Sequence, residues 1–292
     1  MKYALRFFQE SQIKEAVDEL IIKYTHKTVE LIDFVSNQPD NKRIVIDVCS
    51  CTKTDLEDSL NIFIAAKEKH KNIAILLSQY QKDILITLEE HMISFFFQEG
   101  VDTWDKLIFQ MGCGVSDVYI TNEFAFNIKL ISQICHDKNI KVRIFPNVAQ
   151  TSSKMKGNLN SFKFFFVRPE DIDLYEDFVD ICEFFGPIAK QDILYKIYKD
   201  KTWKDQLSYL ILGMDKEIDG NTIPPGWAER RLTCNKKCSY TGHCKICDYV
   251  LDLGAAMQEN GYKFEDKEID NEHTIIKGIM QTDDSSINEG FV

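Results

Sequence analysis

The chain has no uninterrupted apolar run near the roughly 18 residues that suggest a membrane span, so no part of its 292 residues is expected to cross a bilayer. Its opening, MKYALRFFQESQIKEAVDEL, lacks the apolar core and small-residue cleavage site of a signal peptide. The expectation is a cytoplasmic protein. Positive charge is in deficit: 35 Lys and Arg stand against 46 Asp and Glu, a formal net charge of −11. A field of that sign repels phosphate backbones and argues against nonspecific nucleic-acid binding over the whole surface. No Gly-x-Gly-x-x-Gly follows the first strand pattern and no Walker loop occurs, which removes the strongest sign of a nucleotide-binding sheet. No His-Glu-x-x-His occurs either. Residue order alone assembles no Ser-His-Asp or Cys-His arrangement, because the six histidines fall mainly within helical patterns. His26, His70, His91 and His136 read as solvated or capping helix residues.

Nine cysteines, an odd count without a signal peptide, argue against a disulfide framework. Cys113, Cys135 and Cys182 read as small core hydrophobes. Cys49-Ser50-Cys51 would project both thiols to one side if the strand before it continues, leaving metal binding, persulfide chemistry and redox exchange open.

What is present is alternation. The strand candidates are YALRFF (3–8), RIVIDV (43–48), NIAILL (72–77), ISFFF (93–97), DVYIT (117–121), KVRIF (141–145) and FKFFFV (162–167). They are short and mostly β-branched or aromatic, as strands buried on both faces are. Between them DLEDSLNIFIAAKEKH places Leu56, Leu60, Phe63 and Ile64 on one helical face after a cap candidate at Thr54. KDILITLEEHM, TWDKLIFQMG and NIKLISQICHDKN are shorter helical patterns. Residues 12–36 read as one long helical segment carrying Val17, Leu20, Ile21, Tyr24, Val29 and Ile32. LYEDFVDICEFFG presents Leu174, Phe178, Ile181 and Phe185 at helical spacing with Gly186 to stop it, and residues 188–212 also read as helix. An eighth strand, if present, falls on YLILG (209–213). Strand followed by helix, about seven times over, implies parallel pairing and a (β/α) barrel, whole or incomplete.

Functional residues of parallel barrels follow the carboxyl ends of the strands. Those positions here hold Glu10, Asp47, Gln98, Glu99, Asn122, Asn147 and Glu170, a candidate polar pocket. Glu123 and Arg168 are the candidate catalytic pair, Glu123 for its place after an apolar strand and Arg168 as a bidentate clamp for an anion. Either also suits half of a structural ion pair.

The run VSDVYITNEFAFNIKLISQICHDKNIKVRIFPNVAQ (115–150), with a weaker echo in FKFFFVRPEDIDLYEDF (162–178), resembles the middle repeats of the collagenase-like peptidase family U-thirty-two. The resemblance covers the architecture of about the first 190 residues. It implies a TIM barrel, a role in RNA hydroxylation or quinone biosynthesis, and four cysteines holding an iron–sulfur cluster.

Four cysteines lie in CNKKCSYTGHCKIC, as Cys234, Cys238, Cys244 and Cys247. Close thiolate pairs flanking the Thr241-Gly242 turn suit one tetrahedral metal, with His243 an alternative ligand. Local spacing favours Zn2+; the resemblance favours a [4Fe–4S] cluster. Four thiolates leave no position open to water, so the site reads as a structural staple. Arg230, Arg231, Lys236, Lys237 and Lys245 form a local basic patch that RNA would fit, or simply a solvated loop. The organisation expected is a barrel over 1–215, a cysteine-rich metal-binding module over 216–262 and an acidic, mobile tail over 263–292. Three functions remain open: a modification enzyme acting on a nucleic-acid base or small substrate, a non-catalytic scaffold whose module docks RNA or a protein, and a peptidase.

Overall fold

Arg43–Asp47 (β3) and Ile73–Leu77 (β4) carry apolar residues at consecutive positions because both of their faces are covered. Ile44, Val45, Ile46 and all five residues of β4 are buried. These strands lie at the centre of a computed structural model that describes residues 1–7, 16–25, 28–121, 124–148, 166–186, 188–203, 207–211, 223, 228–229 and 232–233. The described residues divide into two compact units. One draws on Met1–Phe145 and Tyr175–Tyr195, the other on Pro146–Leu174 and the chain from Lys196 onward.

All eight strands found among the described residues belong to the first unit. The other six are Lys2–Phe7 (β1), Glu19–Lys23 (β2), Ser94–Phe97 (β5), Asp117–Tyr119 (β6), Lys141–Ile144 (β7) and Ile181–Glu183 (β8). Every pairing is parallel, in the order β5-β4-β3-β2-β1-β8-β7-β6. The two ends of that order meet. Ser116 N–H donates to the Phe95 carbonyl at 2.8 Å, and Val101 bridges Ile120 in parallel, so β5 closes on β6. The result is a (β/α)8 barrel.

The helices between strands are Thr28–Ser36 (α1), Lys53–Lys69 (α2), Lys82–Glu90 (α3), Trp104–Gly112 (α4) and Ile128–His136 (α5), with Ile188–Asp200 (α6) after β8. A short helix, Leu207–Leu210 (α7), follows. Helix α2 starts on Thr52, not Thr54: the Thr52 hydroxyl accepts from Asp55 N–H at 3.2 Å, while the Asp55 carboxylate accepts from Thr52 N–H at 2.9 Å. Among the described residues no helix is long and apolar enough to cross a membrane.

Three readings of local pattern are corrected. Residues 12–36 are not one helix: ELIIK is strand β2, and among the described residues of that range the helix is confined to Thr28–Ser36. Val17, Leu20, Ile21 and Tyr24 fit helical spacing, yet four consecutive buried residues in β2 show a two-sided strand. LYEDFVDICEFFG is likewise not a helix. Pro169–Tyr175 forms a 3₁₀ turn and Ile181–Glu183 is β8, the strand that joins β1 to β7. The described part of YLILG, residues 209–211, supplies no strand, since Tyr209 and Leu210 sit in α7. Residues 162–165 of the FKFFFV candidate lie outside the described residues, and Phe166 and Val167 are buried but not in a strand.

Candidate functional site

Strand alternation aims one set of side chains into the barrel. On β3 that set is Arg43, Val45 and Asp47; on β2 it is Glu19, Ile21 and Lys23; on β6, β7 and β8 it includes Asp117, Tyr119, Arg143 and Glu183. Contacts between strands that are not neighbours confirm the direction. Arg43 of β3 grips Asp117 of β6 bidentately, at 2.7 and 2.6 Å, and its second nitrogen also donates to the Ser116 hydroxyl at 3.1 Å.

From this grip a chain of ion pairs runs toward the other end of the barrel. Arg43 also reaches Glu19 at 3.2 Å. Arg143 joins Glu19 through both of its terminal nitrogens and touches Asp117 and Glu183 at 3.4 Å. Glu183 accepts from the Tyr119 hydroxyl and from Arg6 Nε at 2.7 Å. Arg6 Nη1 then meets Asp47 at 2.6 Å, and Asp47 Oδ1 accepts the backbone N–H of Cys49 at 3.0 Å. Phe96 and Tyr119 flank the Arg143 guanidinium, with ring centroids 4.6 and 5.1 Å from its carbon. Arg143 is fully buried, and its Nε has no hydrogen-bond partner among the described residues.

Position divides the chain of charges in two. Glu19, Arg43 and Asp117 are the first residues of their strands, so they close the amino end. Arg6 and Asp47 stand at the carboxyl ends of β1 and β3 with side chains 24% and 14% exposed, and so belong to the mouth. Conserving a barrel's stability is the usual work of the first end; chemistry is the usual work of the second. Burial opposes the charge on Arg6, but Glu183, Tyr119 and Asp47 outweigh it and hold its pKa above the ordinary arginine value. Burial likewise opposes ionisation of Asp117, and the two arginines prevail, holding it well below the usual carboxylate range. Burial and Glu183 both push Tyr119 well above its ordinary value, against the pull of Arg143 and Arg6, so it stays a neutral donor.

The residues expected at the strand ends are distributed unevenly. Asp47 is in the mouth. Gln98 and Glu99 are exposed, and Glu99 pairs with Lys106 at 2.9 Å. Asn147, Arg168 and Glu170 belong to the second unit. There Asn147 is fully buried, and Glu170 accepts the Trp203 backbone N–H at 3.0 Å. Arg168 is clasped by Asp171 at 2.5 and 2.8 Å, the structural ion pair that was one of its two readings. Glu10, Asn122, Glu123, Cys234, Cys238, His243, Cys244, Cys247 and the basic patch from Arg230 to Lys245 lie outside the described residues. Among the described residues no cluster of three or more metal-ligating side chains occurs.

Arg6, Glu19, Arg43, Asp117, Tyr119, Arg143 and Glu183 were not singled out from the sequence. Their signal was there: a charge at an alternating position inside an otherwise apolar strand, as in YALRFF, KVRIF and ICE. Such a charge in a two-sided strand has to be paired inside. Strand β3 ends at Asp47 and Cys49 enters a turn, so Cys49 and Cys51 do not continue a strand. Burial, then Asp47, pushes the Cys49 thiol up, and it donates to the Leu76 carbonyl.

A serine–histidine–aspartate arrangement does form, but on the outside of the barrel. His136 lies 3.2 Å from the Ser132 hydroxyl and 2.8 Å from the Asp180 carboxylate. Ser132 is only 2% exposed, and Asp180 also accepts Val142 N–H at 2.8 Å. Asp180 immediately precedes β8, so this is an amino-end clamp between α5, β7 and β8.

No protein-family model matches the chain. No curated protein matches it. Among solved structures it is similar to a 4-hydroxy-2-oxoglutarate aldolase/2-deydro-3-deoxyphosphogluconate aldolase from TTHB1, at 11% identity and a TM-score of 0.39, over 68% of this chain and 92% of that chain.

Proposed function

We propose that the chain is a barrel enzyme that modifies an RNA base or another small substrate at the mouth formed by Arg6, Asp47 and Glu183. The carrying observation is the placement of the Arg6 pairs, 2.6 Å to Asp47 and 2.7 Å to Glu183, at the carboxyl end of the strands. Ion pairs taken out of water contribute little net stability compared with apolar packing. A series of them that surfaces where parallel barrels carry out chemistry is better explained by work done there. Asp47 is fixed at both oxygens, by Arg6 and by Cys49 N–H, so a substrate meets a carboxylate of defined orientation. The resemblance of residues 115–150 to family U-thirty-two supports modification over peptide hydrolysis. Cys234, Cys238, Cys244 and Cys247 are proposed to hold Zn2+ or a [4Fe–4S] cluster apart from the reacting atoms.

The test is to digest RNA from cells carrying the wild-type chain, the Asp47→Asn variant or no chain, and compare nucleosides by mass spectrometry. A nucleoside present only with the wild type supports the RNA reading; identical profiles in all three remove it. Purification without air tests the metal. Broad visible absorption with iron and sulfide assigns the cluster, a colourless protein with one zinc assigns zinc, and a metal-free protein removes the metal module.

A further inference from the structure

The donors and acceptors at the mouth are unevenly spent. Both Asp47 oxygens already accept, one from Arg6 and one from Cys49 N–H. Both Glu183 oxygens accept as well, from Arg6, Tyr119 and Arg143. Arg6 uses Nε and Nη1 on these carboxylates, which leaves Nη2 without a hydrogen bond among the described residues. Lys23, the exposed last residue of β2, makes no salt bridge among them. Its ammonium lies close enough to the Cys51 thiol to pull against the burial that raises it. The carboxylate oxygens keep further lone pairs, but the donors left over, Arg6 Nη2 and Lys23 Nζ, are both cationic.

The strands beside these two cations end in aromatic rings. Phe145, just after β7, stacks on Tyr119 at 5.1 Å and 6°. Phe185, two residues after Glu183, meets Phe145 edge-on at 6.0 Å and is 50% exposed. Phe184 turns to the outer face and stacks on Tyr3, which sends Phe185 to the inner one. The chain then reverses at Gly186, whose φ of +133° disfavours any residue with a Cβ. Gln191, itself buried, accepts Arg6 N–H at 3.0 Å and donates to the Gly186 carbonyl at 2.7 Å. One side chain thus ties the Phe185 turn to Arg6. In the sheet the strands concerned are neighbours, β2-β1-β8-β7, and the Ala4–Glu183 register carries Phe185 level with Arg6. Neighbouring strands are roughly 5 Å apart, so a ring lying against Phe185 places a substituent within reach of the guanidinium.

Building on the mouth as reaction centre, we infer that the arc Lys23, Arg6, Phe185 and Phe145 binds a planar ring that carries an oxyanion. The ring stacks or packs edge-on against the phenylalanines. The oxyanion takes charge-assisted hydrogen bonds from Arg6 Nη2 and Lys23 Nζ. A nucleotide phosphate and an aryl carboxylate both present this chemistry.

Calorimetric titration of the full chain with adenosine 5′-monophosphate, 4-hydroxybenzoate, adenosine and inorganic phosphate tests it. A probe holding both parts is expected to bind roughly tenfold or more tighter than adenosine or phosphate alone, the scale of one stacked ring. Phe185→Ala should weaken that probe roughly fivefold or more and leave phosphate unchanged, while Lys23→Ala should weaken every anion and leave adenosine unchanged. Both residues are exposed, so both variants keep the fold. Tight binding of the monophosphate alone assigns a nucleotide, and of the benzoate alone an aryl acid. The inference is overturned when neither exceeds phosphate, or when neither variant changes affinity. Should it fall while Asp47→Asn still abolishes the RNA product, the proposed function stands without it. Ring-anion binding with no RNA product leaves the site and removes RNA as its target.

Discussion

Asp117 shows how much a single buried charge depends on its partners. It has no exposure, and it faces Arg43 and Arg143 together. Asp117→Asn keeps the shape but leaves two guanidinium groups short of a counter-charge, a loss on the order of 3–5 kcal/mol for a broken buried pair. Chemical denaturation of the variant measures it; a loss under about 1 kcal/mol would show the pair to be unimportant. The same residue sets an acid limit. Its folded pKa lies below its unfolded one, so the unfolded state takes up the proton first as pH falls. Its contribution is complete well above the ordinary aspartate value of about 4 and is lost progressively below it. The stability gap between wild type and Asp117→Asn should therefore be flat near neutrality and shrink in acid. Cys49 carries a prediction of a different kind. Burial and Asp47 raise its thiol, so the reactive thiolate is scarce at neutral pH. Iodoacetamide should label it roughly tenfold or more slower than free cysteine, read by peptide mass spectrometry; labelling at the free-cysteine rate would contradict the burial seen here.

At the scale of the element, helix starts were legible in kind but not in position. Two threonines precede the apolar face of α2, and either one suits a cap. Thr54 also stands three residues before a carboxylate, Glu57, but Glu57 pairs with Lys53 at 3.5 Å and the reciprocal capping bonds form between Thr52 and Asp55. Thr52→Ala should cost about 1 kcal/mol and Thr54→Ala within about 0.5 kcal/mol, by thermal or urea unfolding. The reverse ranking would return the cap to Thr54. Strands β3 to β7 were legible because each is an apolar run next to a clear helical period. Strands β2 and β8 were not. Each is short, and its apolar residues also satisfy helical spacing with the neighbouring segment, so only pairing to β1 decides the state. The candidate site was lost with them. Glu19 and Glu183 lie on those two strands, and without them Arg6, Arg43 and Arg143 have no visible reason to be inside.

Across the whole barrel, the charges link end to end but share partners only locally. Asp117 is held by Arg43 and Arg143, Asp47 by Arg6, and among the described residues no arginine touches both carboxylates. Interaction energies are appreciable between residues with common partners and near zero between residues without them. The amino-end plug and the carboxyl-end mouth should then behave as separate devices. Asp47→Asn leaves Arg6 paired with Glu183 and sits partly in water, so its cost should be about 1 kcal/mol or less. Combined with Asp117→Asn, the two losses should add to within about 0.5 kcal/mol. Only Asp47→Asn should remove the modification product, since Asp117 is remote from the mouth along the strands. A coupling above about 1 kcal/mol would instead make the ion pairs one cooperative column, with the charges at the amino end setting the geometry of Arg6 through Arg143 and Glu183.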